Sequence, residues 1–370
     1  MKPLALIGGT VITPLEERVT DLIVDDGLVV NVGTLDHGST KLETLDVSGC
    51  YVTPGLIDLQ LNGGPACNFW TDPTDKELSA FCRAQVAAGV TAFLPTIITD
   101  DVKHIMKNVK FLESLGVGES GIGKDFGRVA ACDSRMPGIH LEGPCLSPQR
   151  PGVHPPEWIK PFSRSIAEQL NSPSVRLMTI APESDSSDEG VKFLLSNNVV
   201  PSLGHSNATF EEANLAFDRG VRLMTHTYNA LPPLHHRAPG AVTAAMLDER
   251  VTCCVICDGL HVDAAAVKIL FKLKGAEKMI LVTDAAQIGT TGGGLVGSSI
   301  VLSEAVRNVV DWRVATFAEA IRMATYNPAR IMGWLDRIGE LSEGKCADIV
   351  VWDRETLKIK HVFVSGEKVA

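Results

Sequence analysis

The chain has 370 residues, 45% of them hydrophobic and 21% charged, with a formal net charge of −10; this is the composition of a folded globular protein and excludes a disordered one. The negative balance also excludes a protein whose affinity comes from neutralising nucleic-acid phosphates, which takes a surplus of Lys and Arg on one face. An anionic small molecule needs only a few local cations and stays within reach.

In chain order, the opening run Met1-Lys-Pro-Leu-Ala-Leu-Ile ends at Gly8-Gly9 and is too short for a signal or membrane segment, so no membrane contact and a cytoplasmic location are expected. From Leu4 to Val52, short β-rich runs alternate with turn residues, among them Leu22-Ile-Val-Asp25-Asp-Gly27-Leu-Val-Val-Asn31. The carboxyl end repeats the pattern in Ala347-Asp-Ile-Val-Val-Trp352 and Ile359-Lys-His-Val-Phe-Val364. Two β-rich ends around a different middle suggest a small discontinuous β-sandwich built from residues 1–53 and 336–370.

Between them, residues 54–335 change to short apolar runs alternating with capped amphipathic segments, the signature of repeated βα units. Eight strands are expected: Leu56–Asp58, Val90–Pro95, Met136–Glu142, Arg176–Ala181, Val200–Gly204, Arg222–His226, Thr252–Ile256 and Met279–Thr283. Eight is the number of a (β/α)8 TIM-like barrel, which takes about 250 residues. Thr74-x-x-Glu77 and Thr209-x-x-Glu212 predict capping boxes, followed by helices that stop at Gly89 and Gly220. A doubly wound sheet is the competing architecture, but no Gly-x-Gly-x-x-Gly turn follows the first strand.

Nine cysteines, scattered from Cys50 to Cys346, are expected as reduced thiols rather than a disulfide framework. Cys254-Val-Ile-Cys257 lies in a β-like run without a second pair at zinc-finger spacing, which reads as buried strand thiols.

Barrel chemistry sits at the carboxyl ends of the strands, where the βα loops converge. The third strand ends in His140-Leu-Glu142-Gly-Pro144, the fifth in Gly204-His205-Ser206, the sixth in Thr225-His226-Thr-Tyr-Asn229-Ala and the eighth in Thr283-Asp284-Ala285. One carboxylate and two imidazoles from neighbouring ends, Glu142, His205 and His226, suit a divalent metal with open positions for water, and Asp284 beside them suits a base. His140 shares a strand face with Glu142 and either supports that site or packs. His37, His104 and His361 read as solvated, and His235 and His236 as loop residues.

These residues, together with Pro54-Gly-Leu-Ile-Asp58, Asp258-Gly-Leu-His261-Val-Asp263 and Asn327-Pro-Ala-Arg330, resemble the N-acetylglucosamine-6-phosphate deacetylases of the amidohydrolase superfamily, nearly end to end. The resemblance implies that Glu142, His205 and His226 bind one catalytic divalent metal, zinc or iron. It implies that Asp284 is general base and then general acid, and that His154 polarises the acetamide carbonyl. Asn229, the backbone of Ala230, and His261 would hold the sugar phosphate. Arg237 matches a phosphate-binding arginine that comes from the neighbouring subunit of a homodimer.

Two departures refine the expectation. Many superfamily members carry His-x-His after the first strand for a second metal, whereas this chain has Gln60-Leu-Asn62, whose neutral amides argue for a single-metal site. Between Ala285 and Leu295-Val-Gly297-Ser298 only Ala286–Gly294 intervene, where the family has a longer stretch; this reads as a deletion beside the site or as an interrupted lid. The alternatives are another amidohydrolase acting on cyclic amides, such as a dihydroorotase or hydantoinase, and a non-catalytic sugar-phosphate binder.

Overall fold

The β-rich runs at the two ends of the chain meet in one sheet. In this computed structural model, residues 3–287 and 296–370 are described, apart from 15, 35–41, 66, 72, 131 and 186; His37 and most of the short connection after Asp284 therefore lie outside the described residues. Ile349–Asp353 pairs antiparallel with Cys50–Pro54, Trp352 opposite Tyr51, so a carboxyl-terminal strand completes an amino-terminal sheet. The sheet has eight strands, which also include Leu4–Ile12, Glu17–Asp25, Leu28–Val32, Glu43–Asp46, Ile359–Val364 and Glu367–Lys368.

Its two faces follow from the period of two along a strand. Ile349 and Val351 join Leu6, Leu22 and Phe363 in one apolar cluster. Val350 and Trp352 point the other way, into the core shared with the middle of the chain, where Trp352 meets the Phe317 ring at 5.5 Å. A buried ion pair ties the same sheet to the middle of the chain. Arg135, 0% exposed, donates from Nε to Asp348 Oδ2 at 2.6 Å and from Nη2 to Asp348 Oδ1 at 2.8 Å.

Eight strands of the middle segment run parallel, each beside the next in chain order: Leu56–Leu61, Val90–Ile98, Ile139–Glu142, Val175–Ile180, Val200–Leu203, Leu223–Met224, Thr252–Ile256 and Met279–Val282. The last also returns to the first. Leu61 and Ala285 form a parallel bridge, and Asp284 N donates to Gln60 O at 2.9 Å. Both faces of these strands are covered, which is why they read as continuous apolar runs. Ile57, Leu59, Leu177, Leu223, Ile256 and Val282 share one cluster, whereas Leu56, Phe93, Leu141, Val255 and Leu281 pack on the helix side.

Each strand lies where the sequence predicts it, with two differences. The third is broken into Cys132–Arg135 and Ile139–Glu142 at Pro137-Gly138, because proline has no N–H for the ladder. The sixth contributes only Leu223–Met224 to the ladder, and the chain turns to a positive φ of 25° at His226. Both predicted capping boxes form, at Thr74/Glu77 ahead of the helix Asp75–Ala87 and at Thr209/Glu212 ahead of Phe210–Asp218.

The cysteine expectation needs correcting. Cys82, on the buried face of the helix Asp75–Ala87, is joined to Cys132 by a disulfide, across 50 positions of sequence. The other seven are free and buried, Cys254 and Cys257 among them as expected. The helix places its apolar Leu78–Phe81–Cys82 stripe against the strand that carries Cys132, a proximity that sequence spacing does not encode. His361 is also less solvated than expected: its Nδ1 is buried without a partner among the described residues, and burial lowers its pKa. Among the described residues, no helix is long and apolar enough to cross a membrane.

Candidate active site

At the carboxyl ends of the parallel strands lies a cavity of about 230 Å³, lined by Asn62, Trp70, Glu142, His154, His205, His226, Asn229, Ala230, His261 and Asp284, among others. Backbone strain concentrates here. Among the described residues, five of the eleven non-glycine residues with positive φ are His205, His226, Tyr228, Ala230 and Asp284. Such conformations cost about 1–3 kcal/mol each and persist only where surrounding structure imposes them. At His205, His226 and Asp284 they turn the side chain inward immediately after its strand.

Three ligand-type atoms converge. Glu142 Oε1 lies 3.0 Å from His226 Nε2 and 3.3 Å from His205 Nε2, and the two imidazole nitrogens are 3.1 Å apart. His205 Nδ1 sits 3.0 Å from the Arg150 carbonyl oxygen. A carbonyl only accepts, so Nδ1 carries a proton towards it, and Nε2 is the nitrogen that an ion at the centre of the triangle would take. Glu142, His154 and His205 also offer ligand atoms that all lie within 4.8 Å of one another, a grouping able to hold a metal ion.

His154 is oriented differently. Its Nδ1 accepts the Thr99 backbone N–H at 3.3 Å and lies 2.8 Å from Thr99 Oγ1. With Nδ1 accepting, the ring proton is on Nε2, which lies 3.9 Å from Glu142 Oε2. Burial, and then the neighbouring His205, pull the His154 pKa down to about 3. The ring is neutral near pH 7, a hydrogen-bond donor without charge.

The carboxylates are held apart electrostatically. Burial opposes ionisation of Glu142, but its hydrogen bonds with His205 and His226 prevail and hold it well below the usual range. Burial pulls His226 down, yet the hydrogen bond and charge of Glu142 raise it overall. Burial, reinforced by the charge of Glu142, pushes Asp284 up to about 7. Two carboxyl groups in one cleft with pKa values driven in opposite directions are a recurring arrangement for acid–base work.

Other expected residues divide. His261 faces the cavity with Nδ1 on Asp258 Oδ2 at 2.6 Å, and Asp258 Oδ1 accepts the backbone N–H groups of Leu260 and His261 at 2.8 Å. Asn229 and Ala230 line the cavity, and Asn229 Nδ2 is a buried donor without a partner among the described residues. Arg237 is not brought in by its own chain: it lies on an exposed loop, 2.9 Å from His236 Nε2. His140 packs below the site in a hydroxyl chain, with Nε2 2.8 Å from Thr179 Oγ1, itself 2.8 Å from Thr225 Oγ1.

Sequence reading missed Thr99, Trp70 and the work of Asp258. Thr99 follows the second strand directly, so the strand-end rule that found Glu142 was sufficient to flag it. Asp258 stands in the quoted Asp258-Gly-Leu-His261 motif, three residues before the histidine it orients. Gln60 and Asn62 do more than stand in for metal ligands, since both donate to Asp284 Oδ1, at 3.0 and 2.6 Å.

Known proteins resemble this chain along most of its length. The chain is 32% identical over 339 residues to the N-acetylglucosamine-6-phosphate deacetylase of Haemophilus influenzae, covering 85% of each. It is equally 32% identical to the N-acetylgalactosamine-6-phosphate deacetylase of Escherichia coli O157:H7, covering 85% of this chain and 86% of that one. It superposes with a TM-score of 0.88, at 28% identity and over 100% of both chains, on an N-acetyl-D-glucosamine-6-phosphate deacetylase variant from Mycobacterium smegmatis solved in complex with N-acetyl-D-glucosamine-6-phosphate. The pattern of the amidohydrolase family matches residues 51–369, and with a carboxylate, three histidines and an aspartate meeting at the strand ends, the chain belongs to that metal-dependent family of hydrolases.

Proposed function

We propose that this protein hydrolyses the acetamide of N-acetyl-D-glucosamine 6-phosphate, giving D-glucosamine 6-phosphate and acetate. The observation that carries the reading is the meeting of Glu142, His205 and His226 within 3.3 Å of one another, in the same cavity as Asp284. The names of the relatives point to the same substrate class. Eight parallel strands and the Leu61–Ala285 bridge support a closed (β/α)8 barrel for residues 54–335. The sheet that amino-terminal and carboxyl-terminal strands share supports a discontinuous terminal domain, read here as the small β-sandwich of 1–53 and 336–370.

Glu142, His205 and His226 would hold one divalent ion, and one carboxylate with two imidazoles suits zinc and iron alike. When bound, such an ion supplies Lewis acidity and lowers the pKa of water towards neutrality. His154, tied by Thr99 with its proton on Nε2, donates to the acetyl carbonyl oxygen and stabilises the charge that develops there. Asp284 takes a proton from the attacking water as the water oxygen bonds to the carbonyl carbon. It then returns that proton to the nitrogen as the C–N bond breaks, a role that favours a pKa near the working pH.

Asn229 Nδ2, the Ala230 backbone and His261 face the sugar phosphate, and Asp258 holds the imidazole of His261 in place. Arg237, exposed on its own subunit, completes the phosphate site of a neighbour in a homodimer. A cytoplasmic enzyme of amino-sugar metabolism fits these assignments.

N-acetyl-D-galactosamine 6-phosphate is the second reading, because the E. coli relative named for it is as similar as the H. influenzae one. Acetate release from both phosphorylated sugars, before chelation and after readdition of zinc or iron, tests the proposal. Metal-dependent turnover of the gluco substrate supports it, faster turnover of the galacto epimer selects the second reading, and metal binding without turnover of any amide leaves a binding protein.

A further inference from the structure

We infer that Trp70 and Asn62 form a hydrogen-bond relay that, with Gln60, holds one oxygen of Asp284 and leaves the other for proton transfer. This rests on the reading of Asp284 as the proton-transfer group. Trp70 Nε1 donates to Asn62 Oδ1 at 3.3 Å, and Asn62 Nδ2 donates to Asp284 Oδ1 at 2.6 Å. Gln60 Nε2 donates to the same oxygen at 3.0 Å and to Glu142 Oε1 at 2.9 Å. Among the described residues none hydrogen-bonds Asp284 Oδ2.

The polarity of the relay follows from elementary chemistry. An indole N–H only donates, so Asn62 turns its oxygen towards Trp70 and its NH2 towards the carboxylate. The flipped amide would set Asn62 Oδ1 against Asp284 Oδ1, and two donors against each other at the indole. Trp70 therefore reinforces the amide orientation that the Asp284 carboxylate already favours, and ties the amide oxygen that the carboxylate leaves free.

Every member is anchored. Asn62 and Gln60 are 3% and 2% exposed, which shields their contacts from competing water. Asn62 N donates to Ala285 O at 2.8 Å, so the backbones of the two strand ends are tied as well as their side chains. Trp70 N donates to Asn68 Oδ1 at 2.8 Å, and Asn108 Nδ2 to Trp70 O at 3.2 Å. Trp70 is thus a positioning residue, acting on Asp284 through Asn62, and its ring also forms part of the cavity wall.

The test compares the wild-type holoenzyme with W70F, N62A and the double variant, in acetate release from N-acetyl-D-glucosamine 6-phosphate and in metal content. W70F keeps an aromatic ring and removes only the donor. The relay predicts that N62A lowers kcat by between about tenfold and a hundredfold through loss of alignment, that W70F lowers kcat with KM within twofold, and that the double variant is no worse than N62A. Independent losses that multiply, or a W70F effect confined to KM, would overturn it and make Trp70 a wall alone. The indole N–H signal of Trp70 gives a readout apart from turnover, because N62A must shift it and speed its exchange with solvent. An unchanged signal sinks the relay even in an active enzyme, whereas a shifted signal in a protein without deacetylase activity keeps the relay and removes the proposed function.

Discussion

Replacing Asp348 with alanine isolates the buried pair that joins the terminal sheet to the middle of the chain. All five guanidinium donors of Arg135 are used: two reach Asp348, one reaches Ser365 Oγ at 2.8 Å, and the remaining two reach the Lys124 and Phe126 carbonyls at 2.8 and 2.6 Å. Asp348→Ala leaves two of these donors unpaired beside a fully buried charge, and also strips the acceptor from Ser365 N, now 2.9 Å from Asp348 Oδ1. Removing one partner of a buried pair costs about 3–5 kcal/mol, because the remaining charge stays desolvated without compensation. At about 2.1 cal/mol/K per residue, unfolding 370 residues carries an entropy of about 0.8 kcal/mol/K, so the expected fall in Tm is about 4–6 °C. Scanning calorimetry on the metal-replete protein measures it. The double variant Arg135→Met, Asp348→Leu should recover part of the loss, since it removes the buried charge altogether but leaves the Phe126 carbonyl and the Ser365 N–H without these partners. A single variant within one degree of wild type (~1 °C), or a double variant as unstable as the single, would refute the reasoning.

Further outcomes follow from the site. Asp284→Asn should retain metal and lose about 10²–10⁴-fold in kcat for acetate release; turnover at the wild-type rate would remove its role as base. Arg237→Ala should raise KM for the phosphorylated sugar about tenfold or more, as expected for a lost charge-assisted bond, and leave N-acetylglucosamine itself unchanged; equal effects on both substrates would exclude a phosphate clamp. Asp58 is fully buried under the site, and burial pushes its pKa from 3.8 to about 7. The folded state keeps this proton where the unfolded state has lost it, so the contribution to stability is complete below pH 3.8 and is lost as pH rises through about 7. Asp58→Asn should therefore gain in Tm relative to wild type between pH 5 and pH 7, and melting curves parallel across about that range would contradict the assignment.

Much of the fold was legible because its signals are local. Thr74 with Glu77 and Thr209 with Glu212 begin helices through contacts three residues apart, and apolar runs such as Met279–Val282 announce strands buried on both faces. The strand-end rule singled out Glu142, His205, His226 and Asp284, which the fold brings into one cavity. It missed partners that carry no pattern of their own. Thr99 meets His154 across 55 positions, and Asn62 meets Asp284 across 222. The disulfide failed as an expectation for the same reason: Cys82 and Cys132 belong to different elements, and only the packing of a helix on a strand makes them neighbours.

The amino-acid sequence by itself determined the order of strands and helices and the identity of the groups that reach the strand ends, since backbone propensity, capping and side-chain periodicity act within a few residues. Tertiary structure alone decided the tautomer implied for His154, the orientation of the Asn62 amide and the pairing of Arg135 with Asp348. These depend on which donor faces which acceptor after distant segments have packed, and hydrogen-bond geometry and desolvation have no meaning until that contact exists.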